Sequence, residues 1–138
     1  MIVLDTNVIS EMFKTAPDAH VMAWLDRQEI ETLYISAVTQ AELKYGVYRL
    51  PDGARKKQLT ASILEVLALM EGRVLPLDAI AADQLAIAAA KAEGLGAKAV
   101  APDAYIAATA LAKGFAVATR NTKHFEPMGV AVINPWQE

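Results

Sequence analysis

Met1-Ile2-Val3-Leu4-Asp5-Thr6-Asn7 opens the chain with a short apolar run halted by an acid. Ile2-Val3-Leu4 has no polar alternation, so it reads as a strand buried on both faces, as strands of parallel sheets are. Asp5, Thr6 and Asn7 are all able to cap a helix, which predicts a short helix running to about Phe13. Strand, cap and helix together form a βα unit, and the same unit recurs along the chain.

Pro17-Asp18 opens a second helix with Val21, Trp24 and Leu25 on one face. Leu33-Tyr34-Ile35-Ser36 is a second strand, and Thr39 begins a helix to about Leu50, where Pro51-Asp52-Gly53 stops it. Leu59, Ile63, Val66, Leu67 and Met70 recur at helical spacing within 54–71, ended by Gly72. Val74-Leu75-Pro76-Leu77 is a third strand, and its proline places it at a sheet edge. An alanine-rich helix over 79–93 closes at Gly94-Leu95-Gly96. Another starts at Pro102 and runs to Lys113-Gly114, and strands follow at 115–118 and 130–133. Alternating strands and helices predict a parallel α/β sheet with helices on both faces. With 138 residues and no linker or low-complexity stretch, one domain over 1–138 is expected.

Composition narrows the chemistry. The chain is 54% hydrophobic and 21% charged, the balance of a globular protein that buries a core. It has no cysteine, which excludes thiol catalysis and cysteine-ligated zinc and fits a reducing cytoplasm. No apolar run reaches the ~20 residues of a membrane span, and the opening residues lack the basic region of a signal peptide. Net charge is −3. A nucleic-acid ligand would therefore be held by a local basic patch, by metal ions or with a partner's help.

Three acids stand at corresponding places. Asp5 ends the first strand, Glu42 follows the second, and Asp103 opens the helix before the fourth. In a parallel sheet these positions gather at the carboxyl edge of the strands, where ligands bind. Each acid also has a plain structural reading. Asp5 can be an N-cap, Thr39-x-x-Glu42 matches a capping box, and Asp103 complements a helix dipole. As a set they point elsewhere. Clustered carboxylates repel one another, and a cation relieves the repulsion. Oxygen-only ligands select Mg²⁺ or Mn²⁺, ions suited to phosphodiester hydrolysis.

The residues around these acids resemble the PIN domains. Met1 to Asn7 is similar to their opening. Ser36-Ala37-Val38-Thr39-Gln40-Ala41-Glu42-Leu43 with Gly46 resembles their second acidic motif, and Asp103 to Ala110 the third. Thr119-Arg120-Asn121-Thr122 with Phe125, then Asn134-Pro135-Trp136, resembles the ending. The likeness is greatest to the FitB-like, VapC-type toxins of bacterial toxin–antitoxin pairs. It implies a three-layer α/β/α fold with a five-stranded parallel sheet. It also implies Asp5, Glu42 and Asp103 as ligands of Mg²⁺ or Mn²⁺, Thr6 orienting Asp5 or a water, and Thr119 supporting the site by its hydroxyl. The implied activity is endoribonuclease cleavage of RNA, transfer RNA included, in the cytoplasm. The implied partners are a second copy of the chain and a cognate antitoxin, which carries any contact with operator DNA. Asn121 stands where part of the family has aspartate. An asparagine adds no charge, so one well-occupied metal is expected, with a second only when substrate is bound.

Several residues have two readings. Asp78 is expected to cap the next helix rather than bind a ligand. His20 and His124 lack zinc spacing and are not expected to be catalytic. Arg55-Lys56-Lys57 is either a solvated face or a phosphate contact. Arg120 either meets RNA or pairs with a site carboxylate. Tyr45 and Tyr48 can line an apolar groove on the helices at 39–50 and 54–71 that clamps an antitoxin. Two rival functions remain. One is a regulatory subunit acting through antitoxin and DNA with little nuclease activity, which the acidic charge favours. The other is a phosphatase, against which Asp5 lacks a second aspartate two positions on.

Overall fold

Side chains of a strand alternate between two faces, and here the alternation sorts the apolar residues into two cores. In the computed structural model, which describes residues 1–138, Val3, Val117 and Leu75 enter one core, and Leu4, Ala118, Leu33 and Ile35 the other. The strands are β1 (Ile2–Leu4), β2 (Leu33–Ser36), β3 (Val74–Leu75), β4 (Ala116–Ala118) and β5 (Val132–Ile133), all parallel in the order β3-β2-β1-β4-β5. The register keeps the faces matched: Val3 sits beside Tyr34 and Val117, and Leu4 beside Ala118.

Helices α1 (Thr6–Glu11), α2 (Ala19–Asp26), α3 (Ala37–Tyr48) and α4 (Ala54–Leu69) cover the face holding Leu4. Helices α5 (Ala79–Gly94), α6 (Asp103–Lys113) and α7 (Thr122–Phe125) cover the face holding Val3. The two coverings differ in texture. Ala88, Ala92, Ala104, Ala107 and Ala110 let α5 and α6 pack close together, whereas Val8, Ile9, Trp24 and Ile63 fill the opposite side. The expected three-layer arrangement is what forms, and β3 is an edge strand as Pro76 predicts, ending before the proline that could not donate to a ladder.

Several boundaries differ from the expectation, three of them with a clear local cause or consequence. Strand β5 begins at Val132, because Gly129 takes a left-handed φ of 82° and closes a 3-10 turn that precedes it. Helix α1 stops at Glu11 rather than near Phe13. Helix α3 begins at Ala37, not Thr39, because Ser36 is its N-cap: the Ser36 hydroxyl accepts from Val38 N at 3.2 Å. The chain leaves β1 for β2 on one side and later returns to β4 on the other. The strand order therefore reverses between β1 and β4 while every strand stays parallel, and a crevice forms there at the carboxyl ends.

Candidate active site

Asp5 lies one step beyond the last register pair of β1 and β4, Leu4 with Ala118. Its N–H donates to Ala118 O at 2.9 Å, which brings its side chain beside Thr119. The Thr119 hydroxyl donates to Asp5 Oδ2 at 2.7 Å, and Thr6 N donates to Oδ1 at 2.7 Å. Thr119 Oγ1 in turn accepts from Asn121 N at 2.9 Å, so its single hydrogen is committed to the carboxylate. Asp5 is only 3% exposed. Burial raises its pKa from 3.8 to about 6. The Thr119 and Thr6 hydrogen bonds oppose that rise, while the charges of Asp103 and Glu42 add to it.

Glu42 lies in the second turn of α3, since that helix starts two residues earlier than expected. The capping-box reading is thereby corrected. Thr39 is fully buried, with its hydroxyl 3.1 Å from that of Thr6, and Ser36 does the capping. Glu42 Oε1 instead accepts from the Thr6 hydroxyl at 2.6 Å. Thr6 thus serves two acids, one through its backbone and one through its side chain.

Asp103 is the first residue of α6, as expected, and its Oδ2 lies 2.7 Å from His124 Nδ1. Two isolated histidines lack zinc spacing, so nothing in the sequence singles out His124. The contact is tertiary, and no local pattern marks it.

Asp5, Glu42 and Asp103 line one cleft of about 410 Å³ with Thr6, Asn7, Ser10, Pro102 and Asn121, and no lining residue is hydrophobic. The acids share the cleft without closing into a three-point ligand set. Glu42 is drawn toward Thr6 and Asp103 toward His124, as mutually repelling charges would be. The donors are carboxylate, hydroxyl and amide groups, which fit a hard divalent cation such as Mg²⁺ or Mn²⁺ and not a soft one.

Asp78 caps α5, its Oδ1 accepting from Ala81 N at 3.0 Å. Lys56 bonds Asp52 and Tyr48 O, which ties it to the protein surface. Arg120 pairs with no carboxylate; its guanidinium lies 5.3 Å from the Trp136 ring centre. An apolar groove does adjoin the cleft, sharing Thr6, Ser10 and Glu42 with it. Phe13, Leu43, Val47, Leu59 and Ile63 line it, whereas Tyr45 and Tyr48 are exposed and outside it. The reason is helical phase: Leu43 and Val47 occupy the inward stripe of α3, and Tyr45 and Tyr48 fall on the opposite side. No helix is long and apolar enough to cross a membrane.

Comparison with known proteins shows which family the fold belongs to. The PIN domain family model matches residues 2–129. VapC ribonuclease Y4jK of Sinorhizobium fredii is 51% identical, over 99% of each chain. Toxin FitB of Neisseria gonorrhoeae is 44% identical over the full length of both. The solved structure of FitAB bound to an IR36 DNA fragment superposes with a TM-score of 0.96 at 44% identity, over 99% of this chain and 96% of that one.

Proposed function

Since the chain belongs to the PIN-domain family, with VapC ribonuclease Y4jK and toxin FitB among its relatives, we propose that it is a Mg²⁺- or Mn²⁺-dependent endoribonuclease toxin of a type II toxin–antitoxin pair. The observation that carries this reading is the convergence of Asp5, Glu42 and Asp103, distant in sequence, on one cleft that they share with Thr6, Asn7, Ser10 and Asn121.

In this reading Asp5, Glu42 and Asp103 hold the ion. A bound divalent cation supplies a more acidic water and neutralises charge developing on the phosphoryl oxygens. The chain's own residues fix the geometry. Thr119 and Thr6 N hold both oxygens of Asp5, the Thr6 hydroxyl holds Glu42, and Asn121 fixes the Thr119 hydroxyl through its backbone. Hydrolysis proceeds by in-line attack of water, with no covalent enzyme intermediate. Asn121 contributes a neutral oxygen, so one ion binds well and a second binds only with RNA present. Residues 1–138 act as one catalytic domain in the cytoplasm.

The partner is a cognate antitoxin, through which the complex meets operator DNA; FitAB, the superposable relative, is itself seen bound to DNA. The apolar groove runs into the cleft, so a partner's apolar segment seated there would also cover the acids. The chain is expected to pair with a second copy of itself.

The purified chain should cut RNA, structured transfer RNA included, with Mg²⁺ or Mn²⁺, and EDTA should stop it. Sequencing RNA ends after brief induction in cells would give the cleavage site. Failure to cut any RNA with either ion, while the protein is folded, sinks the nuclease reading. The acidic net charge of −3 favours the regulatory reading instead. Under that alternative, growth arrest without antitoxin would be the same for wild type and Asp5→Asn.

A further inference from the structure

Each acid of the cleft has its own fixed donor, and for Asp103 that donor is His124. Asp5 is held by Thr119 and Thr6 N, and Glu42 by Thr6, whereas the one protein hydrogen bond to the Asp103 carboxylate comes from the imidazole. A carboxylate only accepts, so Nδ1 carries the hydrogen and Nε2 is left to solvent. His124 is well aimed. Its neighbour Phe125 is fully buried and anchors α7, and its own N–H donates to Asn121 O at 3.0 Å. The imidazole is also 58% exposed, and exposed pairs of this kind add little to stability.

We propose that His124 is a positioning residue that grips Asp103 by Oδ2 and so presents Oδ1 to the cation. This rests on the metal-binding reading above. Outer partners of metal ligands typically alter affinity 10- to 100-fold.

Mn²⁺ binding to the full chain, followed by electron paramagnetic resonance, tests it with wild type, His124→Ala and His124→Asn. An asparagine amide reaches the Nδ1 position. The expected result is Mn²⁺ binding roughly 10- to 100-fold weaker in His124→Ala and restored to within a few-fold in His124→Asn, with Tm little changed in both. At saturating Mn²⁺ the alanine variant should recover its kcat, with KM for RNA unaltered. Unchanged or tighter Mn²⁺ binding in a folded His124→Ala overturns the proposal. So does a loss that asparagine fails to repair while Tm falls in both variants, since that marks a role in the fold. If wild type binds no Mn²⁺, the metal reading itself has failed.

Discussion

Helix α1 has a buried acid at each end, and the two are treated in opposite ways. Glu11, 4% exposed, lies 2.8 Å from Lys14 Nζ through one oxygen and accepts from Asp18 N at 3.0 Å through the other. Lys14 and the Asp18 amide hold its pKa below the ordinary value. Asp5, 3% exposed, has hydroxyl and amide donors but no cation, with two further acids facing it, and its pKa is pushed up to about 6. Burial alone therefore does not mark a site. An acid whose charge the fold leaves unmatched does, because the missing positive charge must come from outside the chain.

The sharpest way to break this contrast is to neutralise each acid. Asp5→Asn should lower RNA cleavage by roughly 10²–10³-fold, as losing a principal electrostatic contributor does, whereas Glu11→Gln should cut normally. Comparable losses in both would erase the distinction.

Stability should move the other way. A rise from 3.8 to about 6 amounts to ~3 kcal/mol of preference for neutral Asp5 in the fold. Asn also sacrifices a charged acceptor worth ~1 kcal/mol. Metal-free Asp5→Asn should therefore gain about 1–2 kcal/mol at neutral pH, read as a Tm several degrees higher. Because the folded pKa of Asp5 lies above its unfolded value, the Asp5 contribution is fully present below pH 3.8 and is lost as pH rises through about 6. Glu11 has the reverse sign: its stabilisation is present above 4.5 and disappears as acid protonates it. Thermal scans from pH 4 to 7 on wild type and both variants would show whether the two slopes oppose each other.

Thr119→Val sharpens the comparison further. It removes one of the two donors that keep Asp5 from rising higher, so Mn²⁺ should bind ~10-fold more weakly, while Thr119→Ser should stay near wild type. Calorimetric titration distinguishes them. The smallest effect is expected for Arg120→Ala. It loses a cation–π contact of about 0.5–1 kcal/mol and should lower Tm by a few degrees without changing Mn²⁺ affinity.

Much of this was readable from the residues. The acid after Ile2-Val3-Leu4, the Asp78 cap, the stop at Gly114 and the edge position of β3 each follow from local chemistry, and the structure has them. Ser36 and Thr39 are both good caps, and only the strand's end decides between them, so the residues alone put the start of α3 two positions late and Glu42 in its first turn. The grip of His124 on Asp103 spans 21 residues between different helices and leaves no periodic trace. The groove lies on α3 and α4 as the sequence predicts, with Leu43, Val47 and Ile63 in it, but Tyr45 and Tyr48 fall outside, because their exposure depends on which way α3 faces its neighbours.

The central place of β1 has a consequence for how the molecule comes into being. Its partners lie at 33–34 and at 116–118. Asp5 is made 114 residues ahead of Thr119, so the contact between them awaits β4. Long-range parallel pairing of this kind is slow and comes late. The cleft around Asp5 is thus completed only once β4 has joined the sheet, and a polypeptide ending before Ala116 would lack the Thr119 grip on that acid.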